Sequence, residues 1–453
     1  MMGPRQEAQA ALFYEFDLDG HVPAGHVLRQ IDRFVDLSGI RSFLAPFYSS
    51  TGRPSIDPEL MIRMLLVGYC MGIRSERRLC EEVHLNLAYR WFCRLDLNDT
   101  IPDHSTFSKN RHGRFRESDL FRHLFNTVLA RCIAEGLVGG EEFGVDASLI
   151  KADASRYTKI ETVDWSIPDQ VSRATQEYLD TLDDAAFGGA TPVQPKAISS
   201  ADPAARYTGA NGDRPFFAYS TNYLVDLDNA IIVDVDATAP IRQAEVEITR
   251  EMILRTKERF GLYPAKLVAD TAYGSAPMLG WLVEEEGIEP YIPVIDKSER
   301  KDGTFSRDAF TYDNQSDSYT CPDGKQLVQF RRTYKTPRSG VDKEGLMRYR
   351  ASKKDCDVCL LKQRCCPKEP ARKILRSIHE GARQMARDIA KTDAYVAASY
   401  ARKKIEMLFA HLKRIIGLDR LRLRGPNGAK DEFILAATVQ NLRKLAKLVP
   451  NPA

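Results

Sequence analysis

Near residue 400 of the 453-residue chain, the segment AYVAASYARKKIEMLFAHLKRIIGL sets an acid between two bases as R-x3-E-x6-K: Arg402, Glu406 and Lys413. Ile405, Leu408, Phe409, Leu412 and Ile416 recur at helical spacing, so the segment reads as a helix with that row buried. At about 100° per residue the three charged groups fall within about 40° of one another, along one edge of the buried face. Two more carboxylates stand near the ends of runs that read as strands, Asp146 in EEFGVDASLI and Asp270 in PAKLVADTAYG. Carboxylates are the hard oxygen donors that Mg2+ or Mn2+ takes, with water and phosphate oxygens filling the rest of the shell. Two such ions held together activate a water or a 3′-hydroxyl and stabilise the leaving oxygen of an in-line attack on phosphorus. Arg402 and Lys413 would hold phosphate close by. Each piece alone has a plainer reading: R-x3-E-x6-K is commonly a surface ion-pair ladder, and an aspartate at a strand end is commonly a turn or cap residue. Asp153, in the KADAS copy of the DAS tripeptide, is the nearest rival to Asp146 but lies outside the apolar run.

The elements that must position these groups follow from periodicity. From about Ala24 to Ala134, apolar residues at three-and-four spacing predict several short helices, compatible with a helix-turn-helix. Asp57, Ser75 and the Asp103-His104-Ser105-Thr106 run are the expected helix starts. The arginines and lysines of this region are interleaved with acids, so DNA reading and dimerisation are equally open. After Gly139-Gly140 the pattern alternates, giving the Asp146 strand. The stretch 151–207 mixes a polar helix, DQVSRATQEYLDTLDD, with a Gly-, Ala-, Pro- and Ser-rich run and reads as an insertion or long loop. FFAYSTNYLVDLD and AIIVDVDAT predict a hairpin turning at Asn229, followed by a long helix ended by Gly261, the Asp270 strand, a helix (SAPMLGWLVEEEG) and another short strand. Strand, hairpin, helix, strand, helix, strand is the order of an RNase H-like mixed sheet. In that sheet the first strand and the strand after the long helix are neighbours, about 5 Å apart, so carboxylates at their adjacent ends can share metal ions.

Composition is that of a globular chain, with 43% hydrophobic residues, and no apolar run approaches the roughly 20 residues of a membrane helix. The N-terminal MMGPRQEAQAALFYEFDLDG has no signal-peptide pattern, so a cytoplasmic protein without membrane contact is expected. The net charge of +3 hides an asymmetry: from Cys321 onward there are 31 Lys and Arg against 13 Asp and Glu, leaving the first 320 residues acidic. A basic C-terminal third is the electrostatic footprint expected of a nucleic-acid partner, though a solvated basic face gives the same count.

Of nine cysteines, Cys70, Cys80, Cys93 and Cys132 sit in half-apolar helical segments as small hydrophobes. The other five lie between the last core strand and the Glu406 helix, in Y-T-Cys321-P-D-G and K-K-D-Cys356-D-V-Cys359-L-L-K-Q-R-Cys365-Cys366. One C-x2-C pair with a near and a distant partner fits a tetrahedral structural Zn2+ site, for which Cys321, Cys356, Cys359 and Cys365 are the favoured ligands. Cys366 in place of Cys365, or free thiols with no metal, fit the same spacing. The flanking FRRTYKTPR, RYRASKK and LKQR are basic, so this insertion is also a candidate for contact with DNA phosphates.

VDAS with Asp146, VADTAYGS with Asp270, and R-x3-E-x6-K with Arg402, Glu406 and Lys413 together resemble the catalytic signature of DDE transposases from bacterial insertion sequences. RPSIDPELMIRMLLVGYCMGIRSERRL and PDHSTFSKNR resemble the helical domain ahead of the catalytic core in one large branch of that family, so the resemblance spans nearly the whole chain. It implies that Asp146, Asp270 and Glu406 hold two Mg2+ ions and that Arg402 and Lys413 contact substrate DNA. It also implies a homodimer or higher assembly pairing two DNA ends, and similar members carry cysteines at the same place. One departure stands out: the family's Tyr three positions before the Arg is Ser399 here, and Tyr400 points about 120° away from Glu406.

The expected fold class is α/β, an RNase H-like mixed-sheet core with an all-helical N-terminal domain and a Cys-rich insertion. The expected domains are 1–138 (helical), 139–298 (first part of the core, with its insertion at about 151–207), 299–392 (basic, Cys-rich) and 393–453 (C-terminal helices carrying Glu406). The expected function is a DNA transposase that binds the inverted-repeat ends of its element in double-stranded DNA. It would hydrolyse a phosphodiester to free a 3′-hydroxyl and join that hydroxyl to target DNA, with no covalent protein–DNA link. The rivals are a nuclease of the same fold that does not join ends, and a catalytically silent DNA-binding repressor; the intact acids and complete C-terminal helix argue against the second.

Overall fold

Three short polar side chains open helices in the way their chemistry requires. Asp57 Oδ1 accepts from Glu59 N (3.1 Å) ahead of the helix Pro58–Cys70, Ser75 Oγ from Arg78 N (3.4 Å) ahead of Glu76–Leu85, and Asp103 Oδ1 from Ser105 N (2.9 Å) ahead of His104–His112. The computed structural model describes residues 16–52, 54–189, 194–209, 214–296, 300–329 and 340–450. The first fifteen residues, on which the absence of a signal peptide was argued, and the basic run 330–338 lie outside the described residues. No helix among the described residues is long and apolar enough to cross a membrane.

The chain divides into two compact units. One comprises Met1–Gly139, Ala147–Leu262 and Lys404–Ala453, the other Gly140–Asp146 and Tyr263–Lys403.

In the first unit, the strand Phe216–Asp226 pairs antiparallel with Ile231–Thr238, bulging at Leu224/Val225, and with the short strand Arg206–Thr208. The hairpin turns over Leu227–Ala230 rather than at Asn229 alone, and Ala230 takes a positive φ of 56° to close it. The C-terminal helix Pro426–Leu448 packs against Ile231–Thr238 and against the helix Leu120–Ala134, burying Phe433, Ile434, Leu435, Val439 and Leu442. Its polar residues are buried as well. Asn441 accepts from Ile232 N (2.9 Å) and donates to Ile232 O (2.8 Å), supplying the partner that this residue's backbone would otherwise lack. Asp234 and Asp236 point inward from the same strand. Asp234 is held by Arg122 (2.6 Å) and Arg255 (2.7 Å), and Asp236 by Arg255 (2.9 Å) and Lys430 (3.7 Å). Burial pushes the Asp236 carboxyl up, but Lys430, Arg255 and Arg122 outweigh it and hold the group below its ordinary value.

In the second unit, Glu142, Phe143 and Gly144 pair parallel with Lys266, Leu267 and Val268, which pair parallel in turn with Glu289, Pro290 and Tyr291. The expected helix after Asp270 is a short α-helix, Ala276–Gly280, that widens into a π-turn over Trp281–Glu285. The region read only as a Cys-rich insertion contains a five-stranded antiparallel sheet. Its order is Lys373–Ser377, Leu346–Ala351, Gln326–Gln329, Ser318–Thr320, Thr311–Asp313. Phe310, Tyr319, Leu327, Tyr349, Ile374, Cys365 and Cys366 form its small core. Beside it Glu380 is buried and ion-paired to Arg307, Arg383 (2.7 Å) and Arg387 (2.9 Å).

Candidate active site

Parallel register sets the first two carboxylates. Gly144 stands opposite Val268, and two residues further along each chain come Asp146 and Asp270. Side chains repeat their facing every second residue on a strand, so Glu142, Gly144 and Asp146 share one face of the Asp146 strand (Glu142–Lys151). Phe143 and Val145 are fully buried on the other face, which fixes the register against a one-residue slip. Asp270 leaves its strand, caps the 3₁₀ turn Thr271–Tyr273 through Oδ1 and Ala272 N (2.7 Å), and stays exposed. Gly274 closes that turn where nothing larger fits: a Cβ there would stand 1.9 Å from Pro293 O, and Ile295 N donates to Gly274 O (2.9 Å).

Arg402 donates to Asp146 Oδ2 at 2.9 Å, both side chains being largely buried. The residue expected on DNA phosphate is thus paired with a carboxylate of the expected trio. Arg402 belongs to the helix Asp393–Arg414, as do Glu406 and Lys413. Glu406 is exposed, and Lys413 is half-buried; burial lowers the Lys413 ammonium's pKa, opposed by Asp419 and helped by Lys151. Ile405, Leu408, Phe409, Leu412 and Ile416 are all buried, as the spacing requires. Tyr400 is exposed, with Lys403 over its ring at 4.6 Å.

Within the first unit the later part of that helix is held by residues that sequence reading did not single out. Gln440 Nε2 donates to Leu408 O (2.8 Å) and its Oε1 accepts from Tyr223 OH (2.9 Å), while Tyr223 stacks on Phe409 at 4.9 Å. Lys404 Nζ caps the hairpin turn at Leu227 O (2.5 Å). A polar pair, Gln440-Asn441, inside an otherwise apolar helix face was the signal available for this. Asp153, the rival to Asp146, is engaged by Arg420 (3.1 Å) and Arg424 (2.9 Å).

Asp146, Asp270 and Arg402 therefore lie in the second unit, and Glu406 and Lys413 in the first. Cys321, Cys356, Cys359 and Cys365 line one cavity of the second unit, together with Cys366. Among the described residues, no three His, Cys, Asp or Glu side chains converge closely enough to hold a metal ion.

Two family models match the chain, and both describe transposases. The Transposase domain (DUF772) matches residues 16–113, the capped helices, and the Transposase DDE domain matches residues 320–446. Over these two stretches, each about a quarter of its length, the chain is similar to transposases, and over the second to the DDE kind. The second match contains Arg402, Glu406, Lys413 and the five clustered cysteines, whereas Asp146 and Asp270 precede it. Among solved structures, a cryo-EM structure of piggyBac transposase in a synaptic complex with hairpin DNA aligns over 92% of this chain and 73% of that chain. Identity there is 10% and the TM-score 0.34.

Proposed function

We propose that Asp146, Asp270 and Glu406 form the catalytic trio of an RNase H-like core that cuts and rejoins double-stranded DNA at the inverted-repeat ends of its element. The observation that carries this reading is the parallel pairing of Gly144 with Val268, each of which is followed two residues later by one of the two aspartates. The strand order within each unit and the long helix before the Asp270 strand support the RNase H-like assignment. The match of the DDE domain over Glu406 supports the third member.

Carboxylate oxygens are the donor set that Mg2+ or Mn2+ takes, and a bound pair of such ions supplies Lewis-acid activation of the attacking oxygen and charge neutralisation at the leaving one. The carboxylates of Asp146, Asp270 and Glu406 would hold that pair. Arg402, which neutralises Asp146 here, and Lys413 would bind phosphate oxygens and fix the scissile bond in line. In the first step water attacks phosphorus and the P–O3′ bond breaks, leaving a 3′-hydroxyl and a 5′-phosphate. In the second the freed 3′-hydroxyl attacks a target phosphodiester, displacing its 3′-oxygen. Two ends must be joined to one target, so a homodimer is the working assembly. The basic C-terminal third supports the DNA contact.

The test is cleavage and joining of a duplex carrying the element's terminal repeats. Strand cuts and joined products with Mg2+, both absent with EDTA, are expected. Cuts without joined products would reduce the protein to a nuclease, and binding without cuts to a repressor.

A further inference from the structure

Cys321, Cys356, Cys359, Cys365 and Cys366 line a single cavity of about 20 Å3, together with the cations Lys325, Lys362 and Arg372 and the carboxylates Asp323 and Asp355. That volume suits one small occupant. Backbone turns direct N–H groups at two of the sulfurs. In the Cys321-Pro-Asp-Gly-Lys325 turn, Cys321 N donates to Lys325 O (2.8 Å) and Gly324 N to Cys321 O (2.8 Å), which brings Lys325 N to Cys321 Sγ at 3.4 Å. Gly324 provides the positive φ of 75° that the turn needs. In the second turn Cys359 N donates to Cys356 O (3.4 Å), and the Leu361 N–H is directed at the Cys359 sulfur. Two turns thus each present an N–H group to a sulfur of the cavity.

The two adjacent cysteines are not equivalent. The Cys366 sulfur neighbours those of both Cys356 and Cys365, and the Lys362 charge acts on Cys366 and Cys356. Cys365 makes its thiol hydrogen bond to Cys366, and its carbonyl is taken by Arg372 (2.9 Å). The surrounding sheet has strands of three to six residues and a small core, the kind of subdomain that needs a covalent or metal staple.

We propose that this cavity is a structural Zn2+ site held by the thiolates of Cys321, Cys356, Cys359 and Cys366, with Cys365 a core thiol beside it. The thiols do not converge within bonding range here, so side-chain rotation about the cavity must draw them to the ~2.3 Å of a Zn–S bond. Binding releases a proton from each thiol, and Lys325, Lys362 and Arg372, set against Asp323 and Asp355, leave one net positive charge beside four thiolates around one dication.

The experiment uses the full chain, purified under reducing conditions without added zinc. Elemental analysis should give about one zinc per chain for the wild type and for Cys365→Ser, and a loss of at least fivefold for Cys366→Ser. A wild type without zinc, retention in Cys366→Ser or loss in Cys365→Ser would overturn the assignment. Because Cys366→Ser could fail to fold, wild-type protein is also alkylated with iodoacetamide and mapped by mass spectrometry. Cys321, Cys356, Cys359 and Cys366 should be protected until a chelator is added, and Cys365 should not respond to it. Equal labelling with and without chelator would overturn the site. Neither readout depends on DNA cleavage, so the zinc proposal and the catalytic one fail separately.

Discussion

Replacing Asp234 by Ala should destabilise the first unit by about 3–5 kcal/mol, the cost of removing one partner from a buried ion pair. Asp234 accepts from Arg122 (2.6 Å), from Arg255 (2.7 Å) and from Val235 N (2.8 Å), and is nearly inaccessible. The two arginines would respond differently. Arg255 keeps Asp236 at 2.9 Å, so its loss is partly covered. Arg122, with only 5% of its side chain exposed, keeps the Val235 carbonyl (2.6 Å) and the charge of Asp236 nearby, but no ion pair of its own. Most of the cost therefore falls on Arg122, and Arg122→Ala combined with Asp234→Ala should cost at least ~2 kcal/mol less than the two single changes added together. Asp388→Ala serves as the control, because the Asp388–Lys391 pair (2.9 Å) is solvent-exposed and should contribute about 0.5 kcal/mol or less. Urea unfolding followed by circular dichroism compares the four variants with the wild type, and the Asp234→Ala midpoint should fall by on the order of 1 M. An Asp234→Ala midpoint equal to that of Asp388→Ala, or simple additivity with Arg122→Ala, would refute the argument that a desolvated charge is being compensated.

Gly274→Ala should lower stability by about 1–3 kcal/mol and reduce DNA cleavage, because its Cβ would collide with Pro293 O and shift the turn that Asp270 caps; an unchanged melting temperature would count against that packing. Gln440→Leu strands the Tyr223 hydroxyl, at about 1–3 kcal/mol, and takes from the Leu408 carbonyl the bond it accepts beyond its helical one; it should depress cleavage more than DNA affinity, and equal losses in both would argue against a positioning role. Asp202, buried against Tyr219 OH (2.6 Å), has its carboxyl pushed up to about 6, chiefly by burial. A folded-state value above the unfolded one gives stability that is complete below about pH 4 and lost as pH rises through about 6. Asp202→Asn should remove that fall from the pH–stability profile, and an unaltered profile between pH 4 and 7 would exclude Asp202 as its source.

Residues whose signals are local were legible in the sequence. Asp57, Ser75 and Asp103 each cap the helix their type and position announced, and the apolar row from Ile405 to Ile416 is buried as a 3.6-residue period demands. Long-range polar pairing was not. Asp234 and Asp236 sit in an alternating strand, where acids ordinarily face water, yet they face inward because Arg122 and Arg255 reach them from distant segments. The five-stranded sheet escaped notice because its strands are short and its core is filled by tyrosines and cysteines rather than by an aliphatic run. The C-x2-C spacing pointed to the thiol cluster, but spacing alone had no means of separating Cys365 from Cys366, which depends on how the chain turns after the short helix Lys362–Cys365. The pairing of Arg402 with Asp146 was likewise beyond periodicity, since it joins groups 256 residues apart.

The most direct measurement of the catalytic proposal takes Asp146→Asn, Asp270→Asn and Glu406→Gln one at a time through Mg2+-dependent cleavage of terminal-repeat DNA, with a binding assay alongside. Each change removes one anionic metal ligand while keeping nearly the same shape, so cleavage should fall by three orders of magnitude or more, about 4 kcal/mol in the barrier, with DNA affinity largely retained. Full cleavage by any one of the three variants would contradict the account.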